Sequence, residues 1–267
     1  MRIRSALFNI AVYLNFLVQA VLFSPVLLLP ERYVWPIARF WVRSTLWLRR
    51  TILATDEEIR GLENIPTGGF IVASKHQSAW ETLRLIELFP RPCFILKREL
   101  LLVPLFGWYL TRVGMIPVNR GQRSLAVEAM TKRARRAIEE GRQIIIFPEG
   151  TRRPPLAPPE YRHGVARLYR DLGVACLPVA LNSGLFWPRR SFAHRRGTIG
   201  LTCLKPIPPG LAPETFMAQL KTAIESGTAE LMAEAFARRP ELRSIRAADA
   251  DRPADAQHRV AVDIDQS

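Results

Sequence analysis

The sequence predicts an α/β fold in which helices cover a largely parallel mixed sheet, preceded by an N-terminal membrane-associated helical pair. Three observations support this class. From residue 52 onward, short apolar runs rich in β-branched residues alternate with helical stretches, which is typical of strand–helix–strand units. Residues 5–30 carry no charge. The chain has 267 residues, 48% of them hydrophobic, which is enough to bury the core of one such domain.

The uncharged run at the N-terminus would measure roughly 39 Å as a helix, enough to reach across the hydrocarbon of a bilayer. Asn15 and Gln19 are four residues apart and place a polar stripe on one face of that helix. A signal peptide is the weaker alternative, because the apolar run continues past the one weak cleavage site, at residues 18–20. One true span and two helices lying in one leaflet both fit the pattern.

The following segment carries arginines on one helical face and aromatic residues on much of the rest. The arginines lie within a stripe roughly 40° wide, and they are Arg32, Arg39, Arg43 and Arg50. The aromatic residues are Trp35, Phe40, Trp41 and Trp47. This pattern predicts an interfacial helix whose arginines reach anionic lipid. The alternative is an ordinary domain helix that packs its aromatic rings inward. Residues 1–51 are thus predicted to be membrane-associated.

The remaining elements follow from hydrophobic periodicity. The predicted strands are 69–74, 92–97, 115–118, 143–147, 174–181 and 198–204. The predicted helices are 78–89, 103–112, 123–140, 164–172 and 213–237. Residues 154–159 are too rich in proline for a helix or a central strand and are expected to form a surface loop. Residues 52–237 are predicted to form one domain and residues 238–267 a mobile tail.

Charge and cysteine content narrow the possible partners. The net charge is +14, and six arginines balance six acids in residues 238–267, so the excess belongs to the rest of the chain. A basic body suits nucleic acid, an anionic membrane or a phosphorylated substrate. No nucleic-acid motif is present, and the N-terminus favours the membrane. The three cysteines have no metal-ligand spacing, so we expect no metal and a reduced, cytosol-facing domain.

The most informative motif is His76-Gln77-Ser78-Ala79-Trp80-Glu81, which follows a predicted strand. On a continuous helix, residues five apart point roughly 140° away from each other and do not meet. His76 and Glu81 meet if the helix starts between them, with Ser78 as its N-cap. Ser-x-x-Glu is also a capping box, so spacing alone leaves a structural and a catalytic role for Glu81 equally open.

Three further segments complete an ordered set: 97–100 with 114–120, then Ile146-Phe147-Pro148-Glu149-Gly150-Thr151-Arg152, then 177–182. Together with the His76 motif they resemble the four blocks of the glycerolipid acyltransferases, most closely the bacterial 1-acylglycerol-3-phosphate O-acyltransferases. The resemblance covers roughly residues 65–210, so residues 52–237 are expected to be the acyltransferase domain. The ordered set is specific, whereas a histidine and an acid at this spacing are weak evidence alone.

The resemblance implies a role for each matching residue. His76 is the expected general base on an acceptor hydroxyl, and Glu81 is expected to hold its imidazole. Residues expected to bind substrate, chiefly the phosphate of the acceptor, are Lys97, Arg120, Glu149, Gly150, Thr151 and Arg152. Glu149 would repel a phosphate, so it is expected to orient Arg152 or to bond a glycerol hydroxyl. The cysteines are expected to be spectators, and Cys93 to belong to the core.

Two positions depart from the family pattern. The first block usually ends in Asp, whereas here it ends in Glu81, whose extra methylene still allows the carboxylate to reach the imidazole. The third block is commonly followed by Ser, whereas here Arg153 takes that place. This added cation is expected either to strengthen anion binding or to face solvent.

The function that follows is transfer of a fatty acyl group to the sn-2 hydroxyl of lysophosphatidic acid, giving phosphatidic acid for phospholipid biosynthesis. The expected co-substrate is acyl-CoA or acyl carrier protein, with no other cofactor. The alternatives are O-acylation of another lysolipid, such as lyso-ornithine lipid, and a non-enzymatic basic membrane adaptor. Because thioester donors are cytosolic, the expected location is the inner (cytoplasmic) membrane, among membrane lipid, with the active site facing the cytoplasm.

Overall fold

The computed structural model describes residues 2–118, 125–189 and 191–245, which form seven α-helices and seven strands with short 3₁₀ turns between them. The helices are α1 (Arg2–Leu22), α2 (Glu31–Leu53), α3 (Trp80–Leu88), α4 (Phe106–Arg112), α5 (Leu125–Glu139), α6 (Gly164–Leu172) and α7 (Pro213–Arg238). The strands are β1 (Thr55–Arg60), β2 (Phe70–Ser74), β3 (Pro92–Lys97), β4 (Ile116–Val118), β5 (Gln143–Ile146), β6 (Cys176–Leu181) and β7 (Gly197–Cys203). All predicted strands are present within two residues of their expected bounds.

The strands form one sheet in the order β1-β7-β6-β2-β5-β3-β4. The five strands from β6 to β4 are mutually parallel. β7 runs antiparallel to β6, and β1 runs parallel to β7. The predicted largely parallel mixed sheet covered by helices is therefore confirmed. Because parallel neighbours end at the same edge, the carboxyl ends of β6, β2, β5, β3 and β4 all lie there.

Two hydrophobic layers sandwich the sheet, and β2 shows how the sequence divides between them. Phe70 and Val72 belong to one cluster, together with Trp80 of α3. Ile71 and Ala73 belong to the other cluster, which residues of α5, α6 and α7 complete. This alternation follows from the two-residue period of a strand. A strand buried on both faces reads as a continuous apolar run, which explains why β2 was predictable.

The strand β1 was not predicted. Its sequence Thr-Asp-Glu-Glu-Ile-Arg is polar and lacks an apolar alternation. It lies at the edge of the sheet, where it pairs with β7 and leaves most of its side chains at least partly exposed. An edge strand needs little apolar surface, so hydrophobic periodicity does not detect it.

The predicted boundary of the C-terminal tail needs correction. α7 continues to Arg238, and a 3₁₀ turn follows from Pro240 to Ser244. Leu242 is 3% exposed and Ile245 is 7% exposed, and both belong to the core cluster that contains Trp80. Two apolar side chains spaced by three residues suffice to fasten such a turn, although they give no visible periodicity. Residues 246–267 of the predicted tail lie outside the described residues.

The polar stripe of α1 faces α2 rather than solvent. Asn15 donates to the hydroxyls of Ser44 and Thr45, at 2.9 and 3.1 Å. Gln19 donates to Asn15 at 2.7 Å and to Ser44 at 2.9 Å. Apolar residues on the remaining face of α1 are exposed, among them Ile3, Ile10 and Leu14. The stripe is therefore the seam that joins the two N-terminal helices.

The first turns of α1 pack on the loop between β6 and β7. Phe8 is fully buried, and its ring lies edge-on to Trp187 and His194 with centroids 5.3 and 4.9 Å apart. The hydroxyl of Ser5 accepts the backbone N–H of His194 at 3.0 Å. Burial lowers the pKa of His194 to about 4, so its ring is neutral beside these aromatic side chains.

The arginine stripe of α2 divides between the domain and solvent. Arg39 donates to the carbonyls of Phe89 and Pro90, and Arg43 pairs with Glu87 at 2.7 Å. The carbonyls left unpaired at the C-terminal end of α3 account for the first contact. Arg39 and Arg43 therefore contact the domain, and lipid contact by the stripe stays a prediction. Arg32, Arg43 and Arg50 are exposed, the side chain of Arg43 to 67%, whereas Arg39 is partly exposed.

The aromatic residues of α2 divide in the same way. Trp35 packs against the core cluster, and Trp41 lies edge-on to Phe16 of α1. Phe40 and Trp47 are 53% and 62% exposed. Inward packing is therefore confirmed for Trp35 and Trp41, whereas lipid contact by Phe40 and Trp47 stays a prediction.

Among the described residues, α1 is the one helix that is long and apolar enough to cross a membrane, by length and composition alone. Its mean hydropathy is 1.7, and 22% of that window is buried inside the protein. These values are weak evidence for association with a membrane.

Candidate active site

The carboxyl ends of neighbouring strands bring the predicted segments together. His76 lies two residues after β2, and residues 149–152 lie in the loop after β5. Ala73 of β2 pairs with Ile146 of β5, so these two loops leave the sheet side by side. Lys97 is the last residue of β3, the strand next to β5. The same edge of the sheet therefore carries a histidine, a carboxylate and several cations.

Glu81 is fully buried and its carboxylate contacts the His76 ring. Its Oε1 lies 2.9 Å from Nδ1 of His76 and accepts the backbone N–H groups of Gln77 and Ser78, each at 2.7 Å. Its Oε2 accepts the hydroxyls of Ser78 and Ser183, each at 2.7 Å. The predicted contact between histidine and acid is therefore present, and the acid is held from several directions.

The same carboxylate also caps the helix. α3 begins at Trp80 with Ala79 in the cap position, so the prediction of Ser78 as the N-cap is one residue early. The hydroxyl of Ser78 accepts the N–H of Trp80 at 3.0 Å, and Glu81 accepts the N–H of Ser78. Capping and contact with His76, which spacing alone left as alternatives, are thus both roles of Glu81.

The ionisation of Glu81 determines which nitrogen of His76 is available. Burial alone would raise the pKa of this carboxyl, but hydrogen bonds from His76 and Ser78 outweigh burial and hold the pKa below its ordinary value. An ionised carboxylate only accepts, so Nδ1 is the protonated nitrogen of the neutral ring, and the lone pair of that tautomer lies on Nε2. No partner for Nε2 exists within the described part of the chain, and the His76 side chain is 13% exposed. This is the arrangement of a general base.

The ring and main chain of His76 are fixed by the loop after β5. The ring of Phe147 stacks on the imidazole, with centroids 3.8 Å apart and planes 16° from parallel. The N–H of His76 donates to Oε2 of Glu149 at 3.2 Å. The carbonyl of His76 accepts the N–H of Arg153 at 2.9 Å. One loop therefore sets the position of the base.

Several known proteins are similar to this chain in sequence and in fold. The family model described as Acyltransferase matches residues 57–182. A 1-acyl-sn-glycerol-3-phosphate acyltransferase from Pseudomonas aeruginosa is 36% identical over 215 residues, which cover 79% of this chain and 82% of that protein. The chain belongs to the acyltransferase family.

More distant relatives agree with this assignment. The yeast Saccharomyces cerevisiae has a 1-acyl-sn-glycerol-3-phosphate acyltransferase that is 28% identical over 174 residues, covering 62% of this chain and 57% of that protein. The crystal structure of PlsC, an LPA acyltransferase from Thermotoga maritima, aligns with a TM-score of 0.73 at 24% identity and covers 87% of this chain and 98% of that one. That structure shows that the fold is shared, and the family predicted from the four blocks is confirmed.

The acyltransferase presents two of its predicted cations without internal partners. Arg152 is partly exposed and Lys97 is exposed, and within the described residues neither side chain has a hydrogen bond or an ion pair. Arg152 follows β5, which neighbours β2 in the sheet, whereas Lys97 ends β3, which lies two strands away from β2. At the usual strand spacing, β2 and β3 are about 10 Å apart. Arg120 lies outside the described residues.

Gly150 makes the turn that places Thr151 and Arg152 beside the base. Its φ of 68° lies in the left-handed region that suits glycine, and its N–H donates to the carbonyl of Phe147 at 2.9 Å. The turn reverses the chain direction, so that the backbone N–H of Arg153 reaches the carbonyl of His76. Thr151 is partly exposed, and its role in binding substrate stays a prediction.

Glu149 does not take the position expected of a substrate ligand. It is 2% exposed, and its oxygens face Nζ of Lys75 at 2.9 Å and the N–H of His76. The expectations that it orients Arg152 or meets a glycerol hydroxyl are therefore wrong in this structure. Burial raises the pKa of Glu149, and the ammonium group of Lys75 partly offsets that effect. Its contacts are those of an internal support.

Arg153 is neither part of an anion site nor free in solvent. Its guanidinium pairs with Glu160 at 3.0 Å and donates to the carbonyl of Pro158 at 3.1 Å. The cation that departs from the family pattern thus fastens the proline-rich loop, which the sequence placed at the surface. Its backbone N–H meanwhile serves His76.

Sequence reasoning missed Lys75 and Ser183. Lys75 directly precedes His76, is 4% exposed and pairs with two carboxylates. Ser183 directly follows the fourth block and donates to Glu81. Adjacency to the blocks was the available signal, but the partners of both residues lie far away along the chain.

Within the described residues, no three His, Cys, Asp or Glu side chains lie close enough together to bind a metal ion. All three cysteines are free and buried. Burial raises the pKa of Cys93 to about 11 and that of Cys203 to about 12, so neither supplies a thiolate nucleophile near neutral pH. The expectation that Cys93 belongs to the core is confirmed.

Proposed function

We propose that this acyltransferase moves a fatty acyl group from acyl-CoA or acyl carrier protein to the sn-2 hydroxyl of 1-acylglycerol-3-phosphate, giving phosphatidic acid in phospholipid biosynthesis. The observation that carries the proposal is the His76 ring, held by Glu81 on one nitrogen and accessible on the other. The names of the similar proteins from Pseudomonas and Saccharomyces support the choice of acceptor.

The reaction needs one proton transfer and no covalent enzyme intermediate. Nε2 of His76 removes the proton from the acceptor hydroxyl while the oxygen attacks the thioester carbonyl, forming the new C–O bond. Glu81 stabilises the imidazolium that results. Collapse of the tetrahedral intermediate breaks the C–S bond, and the thiolate leaves and takes up the proton. The acceptor alcohol is the nucleophile, in agreement with the buried cysteines.

The unpaired cations supply a site for the acceptor's phosphate. Arg152 lies in the loop adjacent to His76, and a guanidinium binds phosphate through two parallel hydrogen bonds. Lys97 adds positive charge from the next strand, and Arg120 is proposed from the family pattern. Gly150 and Thr151 allow the main chain to approach the headgroup.

We further propose that the enzyme works at the inner membrane with its active site facing the cytoplasm. The exposed apolar face of α1 and the exposed rings of Phe40 and Trp47 supply the surface for lipid. The seam of Asn15 and Gln19 occupies the other face of α1, which favours a helix lying on the domain over an isolated span.

The test is transfer of a labelled acyl group by the purified protein in detergent micelles. We expect phosphatidic acid from lysophosphatidic acid with at least one of the two thioester donors. His76→Ala is expected to lower the rate by about 10²–10⁴-fold, the usual contribution of a general base. His163→Ala is the matched control, because His163 is exposed at the start of α6.

An acceptor panel decides the substrate. It includes lyso-ornithine lipid and other lysophospholipids beside lysophosphatidic acid. Preference for a phosphate-free lysolipid would reject the proposed acceptor and keep the chemistry. Full activity of His76→Ala would reject the mechanism, and tight RNA binding without any transfer would favour a non-enzymatic protein.

A further inference from the structure

A buried ionic cluster lies directly behind His76. Nζ of Lys75 is 2.9 Å from Oε1 of Glu149 and 2.7 Å from Oε1 of Glu225 on α7. The hydroxyl of Tyr161 donates to the same oxygen of Glu225 at 2.8 Å. Burial and the Glu225 carboxylate both raise the pKa of Tyr161, so its hydroxyl remains a donor. We call these four residues the Lys75 cluster.

Most of the charged groups in the cluster are shielded from solvent. The side chains of Lys75 and Glu149 are 4% and 1% exposed, and that of Glu225 is 28% exposed. Lys75 is the cation shared by the two carboxylates, and removing it would leave both uncompensated in a poorly solvated place, which is strongly unfavourable. Removing Glu225 leaves the Lys75–Glu149 pair without its contact to α7. The geometry of each member is therefore set by the others.

The cluster reaches His76 through one carboxylate. Glu149 uses Oε1 for Lys75 and Oε2 for the N–H of His76. Lys75 and His76 are consecutive, so Glu149 grips both ends of one short segment. Glu225, 150 positions away from Lys75, is the group that links this segment to α7.

We propose that Glu225 is a positioning residue for acyl transfer, acting through Lys75 and Glu149 to fix the main chain that carries the His76 ring. The inference rests on the proposed function, since it concerns the same base. It assigns a role in catalysis to a residue of α7, outside all four sequence blocks and outside the matched family model. A small displacement of a catalytic group costs much rate, which is why a distant clamp matters.

The test compares Glu225→Gln with Glu234→Gln. Both change a carboxylate on α7 to an amide, but Glu234 pairs at the surface with Arg60. We expect Glu225→Gln to lower kcat by about 10- to 100-fold with KM for both substrates unchanged. Glu225→Asp restores the charge and is expected to recover part of kcat. Glu234→Gln is expected to match the wild type.

A second variant covers the case in which Glu225→Gln fails to fold. Tyr161→Phe removes only the hydroxyl that donates to Glu225, and it is expected to lower kcat by about threefold to tenfold, the value of one hydrogen bond. Loss of thermal stability in the Glu225 or Tyr161 variants with kcat per folded molecule unchanged would overturn the inference, because it would show a structural role alone.

A measurement that needs no turnover separates this inference from the proposed function. Diethyl pyrocarbonate modifies neutral imidazoles, and peptide mapping by mass spectrometry reports His76 and His163 separately. We expect the ratio of the His76 rate to the His163 rate to change severalfold in Glu225→Gln and not in Glu234→Gln. An unchanged ratio together with unchanged kcat would overturn the role of Glu225. An inactive wild type with a changed ratio would refute only the proposed reaction.

Discussion

The two sides of His76 differ in how completely their polar atoms are paired. On the Nδ1 side, Glu81 is fully buried and accepts five hydrogen bonds from four residues. On the cation side, Arg152 and Lys97 are partly or fully exposed and have no partners among the described residues. The proposed base is thus held in place by the protein alone, whereas the proposed phosphate ligands keep unused hydrogen-bond donors. The proposed catalytic and binding groups therefore differ in how far their polar atoms are already paired.

The largest effect is expected on the paired side, from Glu81→Gln. The neutral amide keeps the size of the side chain but no longer stabilises an imidazolium, so kcat should fall by about 10²–10⁴-fold, the range for acid–base catalysis. Steady-state rates at saturating substrates measure this. Glu87→Gln, on the same helix, is the control because Glu87 pairs with Arg43 away from the base. Near-normal kcat in Glu81→Gln would remove the acid from the mechanism.

A second prediction addresses the unpaired side. Arg152→Ala removes charged hydrogen bonds to a phosphate, so KM for lysophosphatidic acid should rise by about 10- to 100-fold with a smaller change in kcat. Added salt should weaken acceptor binding by the wild type more than by the variant. Arg153→Ala is the matched control, because its guanidinium is already paired with Glu160. Equal changes in KM in both variants would show that Arg152 does not bind the acceptor's phosphate specifically.

A smaller effect is expected from Ser183→Ala, which removes one of the two hydroxyls on Oε2 of Glu81. One hydrogen bond to a buried carboxylate is lost, so kcat/KM should fall by about threefold to tenfold. Ser191→Ala changes a partly exposed serine that bonds only within its own loop, and it should leave kcat/KM unchanged. If Ser183→Ala also has no effect, the hydrogen bond from Ser183 to Oε2 of Glu81 does not contribute to catalysis.

The smallest expected effect is on stability, and it has a definite sign. The pKa of Glu81 is lower in the folded chain than its ordinary value of 4.5, so the unfolded chain binds the proton first as pH falls. The stabilisation from Glu81 is fully present above pH 4.5 and is lost as pH falls through the folded pKa. Urea unfolding from pH 7 to pH 3 should show the gap between wild type and Glu81→Gln shrinking on acidification. A gap that widens would contradict the ionised state.

Local chemistry explains what the sequence predicted. The pairing of His76 with Glu81 needed only a helix start within five residues, and the sheet needed only runs of apolar residues. Parallel strands that end at one edge of the sheet then bring their loops together. These predictions depend on patterns of residues close together in the sequence, and the structure confirms the contact and the sheet.

Long-range partners explain what the sequence did not predict. Nothing near Glu149 indicates that its partner Lys75 also binds Glu225 on the last helix. Arg39 and Arg43 lie on a stripe typical of lipid contact, yet the end of α3 supplies their acceptors. β1 was overlooked because a polar edge strand shares its composition with a loop. Each of these omissions concerns a contact between distant segments.

Fully buried Phe8 has a practical consequence for anyone who wishes to work with a truncated, more soluble enzyme. Cutting away the first helix would uncover the rings of Trp187 and His194 and strip Ser5 from the loop it fastens. That loop leads back to Ser183 through the hydrogen bond from the N–H of Trp187 to the Ser183 carbonyl. The apolar N-terminal helix therefore also covers part of the interior, and its removal is expected to disturb the surroundings of Glu81.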